Sequence, residues 1–442
     1  WPNLGLVRFG REELGRTGGF GAAFRARMLL FALCAAVAAT LAAALRRPLA
    51  EYLGLETAAP AFLLAAYLIA NEMIFALRAA YQTAGAFRGY ALLSAGPRVL
   101  NVLLIAGLFV LLARRATASG ILVAQLAALL GVLAAAVLFL PRAALQLPRR
   151  DEAVFRRTAA YSWPLIFWSL ASLVVNWFGL AAVKRYGAAA DVGHFAVAWQ
   201  AVTVLTALQV ATLNAVTPLL MSLAAEKRRD GLTRYVEDAL PQTAWAIGLG
   251  CVLLGAAAEA IPLLFGADYA PSVVLTQVLL AGVAFGAFAA FQEALVKALD
   301  RVKATACVMA ALAAMNVLLA LALTPRLGAL GAAAAAAAAL ILSALLYIPI
   351  VEALPGLGSC GSAGRGRAWL GLLAPVVLAV AAVCLDRALW RLTAAAGILL
   401  TWLVLARAVN VFPAATPARL ADMRMPEPLR RALTFFYARM GR

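Results

Sequence analysis

Histidine is almost absent from this sequence: 442 residues contain one, His194. Cysteine is scarce too. The five residues Cys34, Cys251, Cys307, Cys360 and Cys384 form no CxxC pair, and four of them lie in apolar segments. A metal centre of imidazole and thiolate ligands needs several such groups at fixed spacing, so that class is excluded and the thiols read as buried and inert. Charge is thin as well: Asp, Glu, Lys and Arg together make 13%. Paired catalytic carboxylates, GxSxG, a DxD-type sugar-nucleotide site and a P-loop are all missing, which leaves no ATPase and no recognisable enzyme motif.

What remains is apolar. Hydrophobic residues make 65% of the chain and the mean hydropathy is +0.92. Soluble domains run nearer half apolar and a quarter charged. Apolar stretches of about 20 residues mark membrane-spanning helices. Twelve are expected, over 28–45, 59–81, 95–113, 118–140, 158–183, 192–222, 241–265, 272–298, 304–324, 328–351, 368–386 and 389–407. The fold class is therefore all-α, a polytopic transmembrane helical bundle. Before the first span, Leu4–Gly5–Leu6–Val7 reads as the tail of an apolar segment and Arg8 to Arg27 as a charged loop. Helices preceding this numbering are the expectation.

Lys and Arg concentrate in cytoplasmic loops. With the N-terminal segment inside and the spans alternating, 28 of the 38 Lys and Arg fall inside and 9 outside, and Arg78 stays within a span. The net charge of +18 then reflects topology and anionic lipid, not nucleic acid. This orientation also places the C-terminus in the cytoplasm.

Every connection is short, so function must sit within the helices or at their ends. An internal repeat is visible. Leu100–Asn101–Val102–Leu103–Leu104 in the third span matches Met315–Asn316–Val317–Leu318–Leu319 in the ninth, and Gly120 and Gly331 open the spans that follow. The two Asn positions differ by 215. Internal repeats are common in secondary transporters, with the substrate site at the repeat interface. The run Gly331 to Ala339 is one Gly and eight Ala, which permits close helix packing; biased coding would produce the same run. In the tail, Leu429, Leu433, Phe436 and Met440 at helical spacing alternate with Arg430, Arg431 and Arg439. That pattern suits a basic amphipathic helix on the inner leaflet.

A family likeness follows from motif order. Leu264–Phe265–Gly266–Ala267–Asp268–Tyr269, then Ala298–Leu299–Asp300–Arg301, then Leu323–Thr324–Pro325–Arg326–Leu327–Gly328–Ala329–Leu330–Gly331–Ala332–Ala333 resemble LFG-x-x-Y, an ALGR-like turn and L-x-P-x-x-G-x-x-G-A-A. This is the order in the polysaccharide and O-antigen flippases of the multidrug/oligosaccharidyl-lipid/polysaccharide exporter superfamily. Tyr161–Ser162–Trp163–Pro164 through Val192–Gly193–His194–Phe195–Ala196–Val197–Ala198 fits the mid-chain S-x-P … G-x-Y-x-x-A stretch, and Gly5–Leu6–Val7–Arg8–Phe9 resembles the exit from the second helix. The resemblance implies fourteen helices in the full protein, two of them absent here.

It further implies an incomplete N-terminal lobe over 1–140, a cytoplasmic linker over 141–157, a six-helix lobe over 158–352, an added helix pair over 353–408 and the basic tail over 409–442. The implied activity is transfer of undecaprenyl-pyrophosphate-linked oligosaccharides (O-antigen, capsule or exopolysaccharide units) to the outer leaflet of the bacterial cytoplasmic membrane by alternating access. Partners would be that lipid-linked sugar, membrane lipids and other proteins of polysaccharide assembly. No cofactor is implied beyond H+ or Na+ coupling. One departure stands out: where members of the family often carry an acidic residue in the fifth span, this chain has Asn176–Trp177. His194 falls in the variable slot of the G-x-Y motif. The alternatives are a multidrug antiporter of the same superfamily and an integral-membrane glycan polymerase or ligase. The missing large loop argues against the last.

Ionisable groups inside spans are expensive and usually functional. A pyrophosphate carrier needs cationic donors, and Arg78, Arg98 and Lys297 are the candidates, with snorkelling to the interface as the competing reading for Arg98 and Lys297. Glu72, near the middle of its span, is the candidate coupling carboxylate or partner of Arg78. Glu293 lies four residues before Lys297 on one helix face. The 215-residue offset also equates Arg78 with Glu293, which suggests a gate pair across the two lobes; pairing with Lys297 is the simpler alternative. Glu259, Asp191 and His194 lie toward outer span ends, and Asp191 and His194 read as structural. Trp163, Trp168, Trp177 and Trp199 read first as interface or packing residues.

Overall fold

The computed structural model describes residues 2–44, 59–111, 118–145, 152–226, 229–354 and 362–409, with the single positions 47 and 411. The basic tail beyond 411 and Cys360 therefore lie outside the described residues. Helices account for nearly all of what is described. Nine stretches are long and apolar enough to cross a membrane. One of them, Val302–Glu352, is folded back at Gly328 and supplies two spans. The helix Ala59–Thr83 and the helix Ala118–Leu138, apolar over Val123–Leu138, fall on two further expected spans.

The chain divides into two compact units, residues 1–166 and 167–442. The first contains α1 (Pro2–Thr17), α2 (Gly21–Ala44), α3 (Ala59–Thr83), α4 (Phe87–Leu111), α5 (Ala118–Leu138), the short α6 (Arg142–Leu145) and α7 (Glu152–Ser162). The stretch expected as a charged loop from Arg8 to Arg27 is mostly helix. Glu13 and Arg11 serve helix ends. Glu13 accepts hydrogen bonds from the Ala22 and Ala23 amides at 3.1 and 3.0 Å, supplying orphan donors of α2 with an acceptor. Arg11 donates to the Gln82 carbonyl at 3.0 Å, at the far end of α3. Arg157 meets Glu12 at 3.2 Å and lies 4.9 Å from the Phe9 ring. The Tyr81 hydroxyl donates to the Phe139 carbonyl at 2.7 Å just beyond α5. The third span also starts earlier than expected, at Phe87, because α4 continues through Pro97.

The second unit contains α8 (Pro164–Tyr186, its first residues belonging to unit 1), α9 (Ala189–Ala225), α10 (Arg229–Arg234), α11 (Leu240–Ala257), α12 (Ile261–Phe265), α13 (Pro271–Ala298), α14 (Val302–Glu352), α15 (Ser362–Cys384) and α16 (Ala388–Ala408). Its axis is α13. That helix is apolar on every side, and 83% of its apolar stretch is buried, as expected for a helix surrounded by others. Gly282 and Gly286, four apart, face Ala337 and Leu340, and a Cβ at Gly282 would overlap the Ala337 backbone. Ala332, Ala333, Ala335, Ala336, Ala337 and Ala339 are all buried, so the alanine run is a packing surface. Lipid supplies no hydrophobic drive between helices, and close backbone approach supplies dispersion contact instead. The same device joins α11 to α15, where Gly248 meets Gly371. There the Trp245 indole donates to the Arg367 carbonyl at 2.6 Å and its ring lies 5.0 Å from that of Trp402.

The motif L-x-P-x-x-G-x-x-G-A-A has a mechanical explanation. Gly328 has φ +57° and turns α14 back on itself; Ala320 of one arm then clusters with Ala335 of the other. Gly331 faces the Leu323 carbonyl, where a Cβ would overlap it. One glycine provides the turn and the other the space.

The internal repeat extends to backbone detail. Thr83 and Ala298 end the two equivalent helices, and Phe87 and Val302 begin the next, each pair 215 apart. Between them Gly85 has φ +72° and Asp300 φ +60°. Gly85 N–H donates to Gln82 and Ala86 N–H to Tyr81, at 3.2 and 2.9 Å; Asp300 N–H donates to Lys297 and Arg301 N–H to Val296, at 3.2 and 3.1 Å. Both sets are the paired bonds that close a helix on a left-handed residue. Asp300 is the sole non-glycine at positive φ among the described residues.

Candidate functional site: charged residues within the spans

In unit 1 the structure finds a partner for Glu72 that sequence spacing missed. Arg27 of α2 reaches it at 3.4 Å, and Arg27 Nε donates to Asn3 at 2.8 Å. Arg27 is 1% exposed while the Glu72 side chain is 51% exposed. A buried guanidinium is thus tied down by α1 and α3, and its carboxylate partner keeps one side open. Sequence reading placed Arg27 at the end of a loop; only the helix starting at Gly21 puts it inside a span.

Arg78 is half-buried and is held by aromatics. Its Nη2 donates to the Tyr90 hydroxyl at 3.1 Å. Its guanidinium carbon lies 5.1 Å from the Tyr90 ring and 5.1 Å from the Phe75 ring, distances at which a cation is attracted to a ring face. Its Nε is buried with no acceptor among the described residues. Among the described residues no carboxylate comes within ion-pair distance of it. Arg98 is exposed and sits eleven residues into α4, about 16 Å from its start by the helical rise. It is a mid-helix cation, not the near-terminal one that the later start implied, and snorkelling past that length is harder.

In unit 2, Lys297 and Glu293 form an ion pair within α13, each about one-tenth exposed. The Lys297 ammonium also lies 4.1 Å from the Trp168 ring centroid, and the buried Tyr347 hydroxyl neighbours Glu293. This is the intrahelical pairing that the four-residue spacing allowed. Glu259 is likewise matched. Arg391 of α16 grips it at 2.6 and 3.0 Å, a two-point contact that fastens the added helix pair, and Gln277 donates to the Gly255 carbonyl at 2.9 Å beside it. Asp191 accepts from the Ala188 amide at 3.0 Å, capping α9, and His194 lies edge-on to Tyr269 at 5.6 Å. Trp163 and Trp177 are exposed, and Trp199 stacks on Phe195 at 6.2 Å.

Five cations along the spans thus sort into two groups. Arg27, Lys297 and Arg391 each face a carboxylate. Arg78 and Arg98, both in unit 1, have none among the described residues.

No family model matches this sequence, and no curated protein matches it either. Solved structures do. The chain is similar to a mutant form of the Vibrio cholerae MATE transporter VcmN, with TM-score 0.65 at 13% identity over 81% of this chain and 86% of that one. It is similar to the lipid II flippase MurJ in an inward closed conformation, with TM-score 0.57 at 14% identity over 91% and 90%. An outward-facing multidrug resistance MATE family transporter of the MOP superfamily superposes with TM-score 0.61 at 15% identity over 84% and 83%. The architecture of this chain is the MATE and MurJ transporter fold.

Proposed function

We propose that this protein is a transporter, not an enzyme, that moves an anionic lipid-linked oligosaccharide, an undecaprenyl-pyrophosphate sugar, from the inner to the outer leaflet of a bacterial cytoplasmic membrane by alternating access. The observation that carries this reading is the pair of unmatched cations, Arg78 and Arg98, in unit 1. Uncompensated positive charge within a span is costly and is balanced when a phosphate-bearing substrate arrives. Guanidinium forks suit phosphate oxygens. Lys297, neutralised by Glu293, is better read as part of the scaffold than as a substrate ligand. Glu72, half-exposed above Arg27, is the carboxylate placed for H+ or Na+ coupling.

The fold is shared with MATE transporters as well as a flippase, and an exposed Glu72 would also meet a cationic drug. The multidrug antiporter is therefore the second reading. Reconstituted vesicles with defined undecaprenyl-pyrophosphate sugars distinguish the two. Arg98→Ala should lower sugar transport while expression holds, and Arg98→Lys should rescue it partly, because a two-point fork becomes a point charge. Full sugar transport by Arg98→Ala returns that residue to a snorkelling role. Export of cationic dyes without sugar transport favours the antiporter.

A further inference from the structure

Arg78 is held in an unusual way for a lone cation. A guanidinium carries five N–H donors, and among the described residues one is engaged, on the Tyr90 hydroxyl. The buried Nε has no acceptor among the described residues. An unmet buried donor is expensive unless something completes it. Tyr90 is fixed in turn: its ring packs with Leu77, Tyr81, Leu93 and Ala136 where α3, α4 and α5 meet. Phe75, one turn before Arg78 on α3, supplies the second ring, and it is 37% exposed, so this group opens to the outside of the unit. The arrangement restricts the long Arg78 side chain before any ligand arrives, and restriction in advance lowers the entropy cost of binding.

We infer that Tyr90, with Phe75, is a positioning residue that pre-orients the Arg78 guanidinium to receive a pyrophosphate group. The inference rests on the pyrophosphate reading above and adds to it the residues that decide affinity at the site. Tyr90 acts through Arg78 and makes no contact of its own with the ligand. The shared chemistry is the pyrophosphate, whether borne by a lipid or free.

The full chain, purified in detergent, is titrated calorimetrically with inorganic pyrophosphate, farnesyl pyrophosphate and farnesol. Arg78→Ala should weaken pyrophosphate binding about thirtyfold and Tyr90→Phe about fivefold, the scale of a charged and a single hydrogen bond. Tyr90→Leu, which also removes the ring, should weaken it further. In the Arg78→Ala background, Tyr90→Phe should change nothing more, which is the coupling signature of one residue acting through another. The same pattern with inorganic pyrophosphate means the headgroup alone is recognised; the pattern with farnesyl pyrophosphate only means the lipid-borne group is required, and both support the inference. If Arg78→Ala weakens binding while Tyr90→Phe and Tyr90→Leu bind as the parent does, the positioning role is overturned and the pyrophosphate reading stands. If Arg78→Ala and Arg98→Ala both bind as the parent does, or farnesol binds as tightly as its pyrophosphate, the pyrophosphate reading itself is lost.

Discussion

Removing the Lys297 ammonium should destabilise the protein far more than removing the whole ion pair. Both members of the pair are about one-tenth exposed, and α13 is enclosed by other helices along most of its length. In Lys297→Met the Glu293 carboxylate is left buried without its cation. Breaking a buried pair by removing one partner costs about 3–5 kcal/mol, whereas replacing both by apolar or neutral groups is often neutral. For a unit of this size each kcal/mol moves the midpoint by about 2 °C. Lys297→Met should therefore lower the thermal midpoint in detergent by roughly 6–10 °C, and Glu293→Gln with Lys297→Met should recover most of that loss. Loss of the contact with Trp168 leaves a residue of about 1 kcal/mol. The assay is the fraction of monodisperse protein surviving a heating series, alongside sugar transport in vesicles. A Lys297→Met variant as stable as the parent would refute the argument. So would a double variant no better than the worse single one. If the double variant is stable but transport is abolished, Lys297 touches substrate after all. If instead the Arg78→Glu, Glu293→Arg swap restores what its single changes lose, the gate across the two lobes is the better account of Glu293.

Two further outcomes are expected. Single cysteines at Arg150 and Arg228, which lie outside the described residues, should be shielded from an impermeant reagent in intact cells, and one at Tyr269 labelled; labelling at 228 but not at 269 would overturn the orientation. At the repeated turn, Gly85→Asp, which copies its counterpart Asp300, should be milder than Gly85→Val by about 1 kcal/mol, because short polar side chains tolerate a left-handed backbone and β-branched ones do not. Equal midpoints for the two variants would refute that account.

Much of the architecture was legible because lipid as a solvent leaves few options. Backbone polar groups must be satisfied within the segment, so long apolar stretches become helices, and each of the twelve expected stretches falls on a helix. The repeat was legible from Asn101 and Asn316, and the turns at Gly85 and Asp300 carry it to single hydrogen bonds. Boundaries failed where a local rule was overridden. The third span was expected from 95, yet α4 starts at Phe87 and runs through Pro97. The stretch between Arg8 and Arg27 reads as loop, yet it is mostly helix, with Glu13 capping α2 and Arg11 bracing the end of α3. The ion pairs divided along the same line. Glu293 with Lys297 was readable as an i,i+4 pair, because one helix brings them together. Glu72 with Arg27, and Glu259 with Arg391, were not, because residues 45 and 132 positions apart meet only through tertiary packing.

Composition and periodicity alone determined that this chain is a membrane-embedded helical bundle, and that Arg78, Arg98, Glu72, Glu293 and Lys297 are the charges needing explanation. They could not determine which of those charges are neutralised. That depends on which helix faces meet, and side-chain electrostatics act over a few ångströms that sequence separation does not measure. Tertiary structure decided that Lys297 is matched within its own helix, that Glu72 belongs to Arg27, and that Arg78 is held by Tyr90 and Phe75.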